Sequence, residues 1–561
     1  MQNQQGRAHS RRRKDYFQPG IIRLLVEHPA EISIGQVLEE LQKFSFLNET
    51  LGQAQLDREQ AVSFTHSQNS TRFPENRRPR RDAFTVLPYV LPQLTQYNGR
   101  DARELIRRIN ALNQNILALP DDGAVLLRIA SPNWFSVPTP ENTGGGGPGS
   151  RPIPASVASE FAGSAIDAPG APYTFTMTAL PDFKPRDATR KVDVAMFDTA
   201  YCIETLQKAY TDHATAHPII RSLLEPNGSG GFTNLTVHLA PEIGVKLLAP
   251  DEVRVRRHDY NMNDHGLFVS GIIHSIAPKA QLHLYQVLND YGLGTTQGIA
   301  LAIKHLAQQR EDATERRPLV VNCSFMLVMP LPGQYKNNGD ANDQLVSFEV
   351  FQKNEEQITP DDLYLLDQFC LDLDWAFDSL RGNDALVIAA AGNDANNGQD
   401  VTGGDRPQAR FPAAFTSVEG VGALDKNSTV MAEYSNKSDR PSYKGIVTLG
   451  GGATTFLDEA GEIFDSKTTP EMGVLGVYLG NFPGDKAPGK ELDEDEPYSD
   501  EENTTQWAWW SGTSFAAPII TGTAAALLGH GLTPVTVMGA IRAAEPDLAS
   551  DSAEIFMVTQ G

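Results

Sequence analysis

Beyond about residue 175 the chain runs through short, almost wholly apolar segments separated by stretches that read as helices. They are VDVAMFD, HGLFVSGII, AQLHLYQVL, GIALAIKHLA, PLVVNCSF, ALVIAAAGN and SFAAPIITGTAAALL. A strand that is apolar on both faces must be covered on both faces. The order therefore predicts an α/β domain over 175–550, three layers deep, with a mostly parallel central sheet. Weakly patterned stretches near 201–250, 327–380 and 451–506 read as insertions. The last holds KELDEDEPYSDEEN, a dense acidic run expected to be a solvated, mobile loop.

The part before this series reads differently. Ser33–Asn48 has apolar residues near helical spacing, with Ser33 as an N-cap. Residues 84–137 read as strand, helix, strand, with Leu105, Ile109 and Leu112 on one helix face, which fits a small α+β unit. Residues 138–174 are rich in Gly, Pro and Ser and read as a linker or as an arm draped over the next domain. Residues 1–83, partly helical, match no known pattern; they are a candidate module for a regulatory partner or part of a restraining segment.

Composition narrows the classes. The 561 residues suffice for two or more domains with their own cores. Cys202, Cys323 and Cys370 are the only cysteines and have no CxxC spacing, which excludes a disulfide-stapled scaffold and a zinc knuckle. No apolar run is long enough to span a membrane, and the basic N-terminus is not followed by an apolar signal core, so a cytoplasmic protein without membrane contact is expected. The net charge of −23 is uneven: residues 1–190 carry +3 and the remainder −26. An acidic bulk argues against nucleic-acid binding, which needs a concentrated basic face. The basic clusters Arg11–Lys14 and Arg77–Arg81 read as solvated tails, with a nuclear address or a contact patch as the alternative.

Four segments carry chemistry. VDVAMFDTAY ends an apolar run in Asp198, placing a carboxylate where open α/β sheets form their ligand crevice; a turn or cap aspartate is the plainer reading. His265 begins an apolar helix in HDYNMNDHGLFVSGIIHSIAP, where a structural histidine is the alternative. ALVIAAAGNDA leads a buried strand into a turn presenting Asn393, whose amide can donate to a developing oxyanion or simply belong to a turn. In SGTSFAAPIITGTAAALL, Ser514 opens a small-residue helix whose N-terminus favours negative charge; an ordinary N-cap is the alternative. Pro518, four residues on, ordinarily ends or kinks a helix.

Together and in this order, these segments resemble the subtilisin-like serine proteases, the subtilases, over roughly residues 185–545. GTSFAAP is similar to that family's GTSMAAP, HGLFVSGII to its HGTHVAGII, and AAAGN is shared. The resemblance implies a serine endopeptidase acting on proteins or peptides. Ser514 would be the nucleophile, His265 the general base and acid, Asp198 the orienting carboxylate and Asn393 an oxyanion donor. VLNDYGLGTTQG resembles the family's edge strand for extended substrates, implying that Gly292, Leu293 and Gly294 contact the peptide backbone. VVNCSFM resembles VVNMSLG, implying that Ser324 and Phe325, with Ala390, Ala391 and Gly392, wall the first specificity pocket.

The pattern also departs from the family. Ala200 replaces a glycine, Leu267 the threonine of HGT, and Met326 a glycine beside the substrate strand. The last places a bulky, flexible side chain near the pocket. Family members often carry an N-terminal propeptide, which the unit at 84–137 resembles loosely; the resemblance implies a zymogen restrained by its N-terminal region. Calcium often stabilises the family, but no EF-hand-like loop is visible, so no metal site and no cofactor are assigned. Trp507, Trp509 and Trp510 read as core packing or a substrate wall, and Cys323 as a buried small hydrophobe. The rival to an enzyme is a catalytically silent protein that uses the fold as a peptide- or partner-binding module.

Overall fold

A computed structural model of the chain describes residues 16–66, 81–96, 99–120, 123–138, 150–249 apart from 167, 169, 179, 181–183 and 185–186, then 261–329, 368–381, 385–395, 406–426, 430–438, 445–457, 463–484, 500–543 and 553–560. Arg11–Lys14, Arg77–Arg80, most of the 327–380 insertion and the acidic run up to 499 lie outside the described residues.

The larger body is built on an eight-stranded sheet. Its order is Ala553–Ile555, Gly445–Leu449, Glu419–Leu424, Ala385–Ala390, Leu319–Cys323, Asp193–Asp198, Gln281–Gln286 and Leu235–His238, and every neighbouring pair is parallel. Leu319–Cys323, Ala385–Ala390 and Gly445–Leu449 are buried from end to end, as their largely apolar runs require. Leu235–His238, inside the first expected insertion, extends one edge of the sheet.

Two helices that carry chemistry cross this sheet. Asp264–Ile276 and Thr513–Gly529 have every residue buried. Several of their polar residues are satisfied internally, as where Ser270 and Ser275 donate to the Gly266 and Gly271 carbonyls. Pro518 sits inside the second helix without ending it. Proline cannot donate to the carbonyl four residues back. That carbonyl, of Ser514, instead accepts the Ser324 hydroxyl at 2.8 Å, so the lost helical bond is replaced by one to the sheet.

The N-terminal residues form a second, antiparallel sheet. Phe17–His28 lies between Ala83–Val90 and Leu126–Pro138 and pairs with both. The boundary expected at residue 83 falls inside this sheet. Helix Gly99–Leu117 packs on it and buries Leu105, Ile109 and Leu112. The helical stretch read over Ser33–Asn48 is two helices, Ile34–Leu41 and Ser45–Leu51. Ser33 caps the first in a capping box with Gln36.

The two bodies share a polar and aromatic seam. Arg23, 1% exposed, donates from Nε to Gln297 at 3.0 Å and from Nη1 to Thr296 at 2.9 Å, and it pairs with Asp372 through Nη2. Asn133 accepts from the Thr296 hydroxyl and the Gln297 backbone, both at 3.0 Å. Trp375 packs edge-on against His66 and Phe84. Burial, then Arg128 and His28, pushes the His66 pKa down to about 3.

The far end of Leu126–Pro138 leaves its own sheet and enters the other body. Ser136 and Phe135 pair with Gly294 and Thr295 on one side, while Pro138, Val137 and Ser136 pair with Phe325, Met326 and Leu327 on the other. Both pairings are antiparallel. Within the range read as a linker, Ile153–Ala155 forms a strand against Trp507–Trp509, immediately before the Ser514 helix.

Because Arg23 and Asp372 are both buried, removing one partner strands the other's charge. Arg23→Ala is expected to cost about 3–5 kcal/mol. It should lower the first thermal transition and expose residues 16–138 to limited proteolysis, whereas Arg23→Met with Asp372→Leu should recover more than half of the loss. An unchanged melting profile in Arg23→Ala would show that this contact does not hold the seam.

Candidate active site

Three neighbouring strands of the parallel sheet end at the site. Asp193–Asp198 delivers Asp198, Leu319–Cys323 runs into Ser324, and Ala385–Ala390 leads to Asn393. This is the edge at which parallel sheets place ligands. Asp198, His265, Ser324, Asn393 and Ser514 all have zero exposure.

His265 is the second residue of its helix. Its Nδ1 lies 2.7 Å from Asp198 Oδ1. The same carboxylate oxygen accepts from the Thr199 backbone at 2.8 Å. Gly266 makes the approach feasible, because a Cβ there would sit 2.1 Å from the Thr199 carbonyl oxygen. Thr199 clasps the junction: its hydroxyl donates to the Met262 and Asn263 carbonyls and accepts from Gly266 N, each at 3.1 Å. The imidazole packs against Trp510 and Phe515, with ring centroids at 5.6 and 5.5 Å. Trp510 and Phe515 also contact each other and Phe268, so the ring is gripped on its apolar sides.

His265 Nε2 makes no hydrogen bond among the described residues. Ser514 Oγ donates instead to the Ser324 carbonyl at 2.8 Å, while Ser324 Oγ donates to the Ser514 carbonyl. The two serines thus exchange a reciprocal pair of bonds. Catalytic hydrogen bonds commonly close only when substrate is bound, and a serine hydroxyl moves by one rotation about χ1.

Asn393 is oriented by Thr513. Its Oδ1 accepts from the Thr513 backbone at 3.1 Å and the Thr513 hydroxyl at 2.9 Å. The hydroxyl in turn accepts from Gly392 N at 3.2 Å. With its oxygen anchored, the amide keeps its NH2 as the donor end, beside the residue that precedes Ser514.

Asp264, next to His265, is also buried. It accepts from the backbones of Leu479 and Gly480 and from the Tyr201 hydroxyl, tying the loop after Val474–Val477 to the start of the histidine helix. Burial pushes its pKa up to about 6 against the lowering pull of these bonds, and burial beside Asp264 raises that of Tyr201.

The residues expected to contact substrate lie together. Gly294 and Phe325 pair with the chain's own Ser136 and Pro138, and Gly292 packs against Pro138. Leu293 is buried, and Ala390, Ala391 and Gly392 lead into Asn393. Trp507 and Trp510 are buried in the core, as is Cys323. Sequence reasoning missed Thr199, Asp264 and Thr513, whose one signal was adjacency to a singled-out residue. It also missed Ser136–Pro138, for which SPNWFSVP gives no motif. Among the described residues no cluster of His, Cys, Asp and Glu could hold a metal, and no helix is long and apolar enough to cross a membrane.

The family model for subtilases matches residues 250–554, more than half of the chain. No curated protein matches the chain. Among solved structures it is similar to fervidolysin from Fervidobacterium pennivorans, a keratinolytic enzyme related to subtilisin, at 12% identity and a TM-score of 0.42; the match covers 98% of this chain and spans 61% of that one. It is also similar to a serine-to-alanine mutant of the protease domain of PatA, at 20% identity and a TM-score of 0.31, covering 62% of this chain and 83% of that one. With a family model spanning most of the parallel-sheet body and both chemistry-bearing helices, this chain belongs to the subtilase family.

Proposed function

We propose that the chain is a serine endopeptidase whose N-terminal region restrains it. The observation that carries the reading is the convergence, in a buried site at the carboxyl edge of one sheet, of a histidine bonded to a carboxylate, a serine at a helix start and an oriented amide. A protein that only bound peptides would need none of these together.

In this reading Ser514 Oγ rotates from the Ser324 carbonyl towards His265 Nε2 as substrate binds. His265 takes the hydroxyl proton while the oxygen attacks the scissile carbonyl, and later gives the proton to the leaving amine. Asp198 holds Nδ1 protonated and stabilises the imidazolium. The Asn393 NH2, with the Ser514 backbone N–H at the helix start, receives the oxyanion. Water then deacylates the serine by the same proton path in reverse.

Because the Asn393 amide acts on the tetrahedral state, its removal should lower kcat rather than raise KM. Asn393→Ala is expected to lose about 100–1,000-fold in kcat, or about 2.7–4 kcal/mol, with little change in KM. Measuring melting temperature and kcat on one preparation checks this. Lowered stability with intact kcat would make Asn393 a turn residue only.

The restraint is the pairing of Phe135–Pro138 with both strands expected to hold substrate. An extended peptide added between two strands gains backbone hydrogen bonds on both sides, and here the occupant is part of the same chain. Its effective concentration is high while the chain is intact and falls once the connection is cut. A cut between 139 and 149 would leave Ser150–Ala155 with the protease body. The Ser150 carbonyl accepts from Trp510 Nε1 at 2.7 Å, and Arg151 Nη1 donates to the Pro483 carbonyl at 2.8 Å. Placing a recognition site for a second, specific protease at Gly144–Gly147 tests this. Peptide turnover should rise at least tenfold when the released N-terminal part is removed; equal turnover before and after would remove the restraint.

A further inference from the structure

The two walls expected for the first specificity pocket are Ser324–Phe325 and Ala390–Gly392. A third segment runs between them. Arg410 N donates to the Ala391 carbonyl at 2.8 Å, and Leu327 N donates to the Phe411 carbonyl at 2.7 Å, so residues 410–411 are stitched to both sides. The Arg410 side chain follows the same course. Its Cγ lies 3.0 Å from where a Cβ on Gly392 would be. Its Nε and Nη2 donate to the two carboxylate oxygens of Asp394 at 2.8 and 2.9 Å, and its Nη1 reaches the Met329 carbonyl at 2.8 Å. One guanidinium thus spans from the residue after Asn393 to the residue two beyond Leu327.

The pair is built in rather than resting on a surface. Arg410 is 5% exposed and Asp394 2%. Asn436 completes it, accepting from Asp394 N and donating to Asp394 Oδ2, both at 2.7 Å. A two-pronged arginine–carboxylate pair with its remaining groups bonded is rigid, and opening it would leave buried charges unpaired.

We propose that the Arg410–Asp394 pair fills the first specificity pocket, so that the enzyme cleaves after residues with small side chains: Gly, Ala and Ser. The inference rests on the protease reading above and names its substrate class. A large apolar or aromatic side chain would have to displace the pair. An acidic one would have to replace an Asp394 carboxylate already bonded by Asn436 as well as by Arg410. A basic one would meet the guanidinium. Selection here comes from what the pocket refuses.

The test is a competition assay on a peptide library varied only at the residue before the scissile bond. The full chain is used, before and after cleavage of its 139–149 segment. Ratios of kcat/KM from competing substrates do not depend on the fraction of active protein, so a merely structural defect does not move them. Gly, Ala and Ser should be favoured at least tenfold over Leu, Phe, Lys and Glu. Arg410→Gly with Asp394→Ala removes both charges together, so no buried charge is stranded. It should raise Leu and Phe relative to Ala by at least tenfold. A wild-type preference for large apolar, basic or acidic residues overturns the proposal even if the double variant does not fold, as does an unchanged profile in a folded double variant. Absence of turnover for every peptide would remove the protease reading and this inference with it, whereas turnover with the wrong profile removes the inference alone.

Discussion

The hydrogen bond between His265 and Asp198 fixes how the larger body can be assembled. It requires the histidine helix to begin directly over the end of one strand, and Gly266 against the Thr199 carbonyl sets how close that is. The Thr199 hydroxyl and the aromatic grip of Trp510, Phe515 and Phe268 then hold the ring from other directions. Since the site is buried, these contacts act in a medium where a misplaced polar atom is costly and a placed one is strong. The order of strands does the remainder. Asp198 ends one strand, and Ser324 and Asn393 follow the ends of the next two in the sheet, so a single sheet edge sets their spacing.

The proposed restraint and the proposed chemistry draw on the same geometry. The groove between Gly294–Thr295 and Phe325–Leu327 presents backbone groups that call for a strand, and the chain supplies one from its N-terminal sheet. What seats that strand lies elsewhere, in the Arg23, Asn133 and Trp375 seam. An occupant anchored at a distance fills a groove more completely than its few residues of contact would by themselves. The reciprocal bonds between Ser324 and Ser514 fit the same proposal, because they hold the Ser514 hydroxyl on a backbone carbonyl.

Much of the larger body was legible because its strands are short apolar runs, whereas the polar residues at their ends were singled out by the resemblance of four segments to the subtilases. The N-terminal sheet was not legible in the same way. FQPGIIRLLVEH carries Arg23, Glu27 and His28, which look solvent-facing, yet all three are buried by partners remote in sequence. Leu126–Pro138 contains two prolines, a poor sign for a strand paired on both sides, and its end pairs with residues more than 150 positions away. How the helix carries Pro518 was hidden for a comparable reason: the lost bond is replaced by one from Ser324, a residue that no helical rule could supply. The Arg410–Asp394 pair likewise joins a loop to a turn, and neither residue stands out in its own segment.

The central claim is that Ser514 is a nucleophile driven by His265. The most direct measurement is the position of covalent attachment of a fluorophosphonate, mapped by peptide mass spectrometry on the full chain after its N-terminal part has been cut free. The account predicts one adduct, on Ser514, formed far more slowly in the His265→Ala variant. An adduct on another residue, or equal rates in the two proteins, would contradict it.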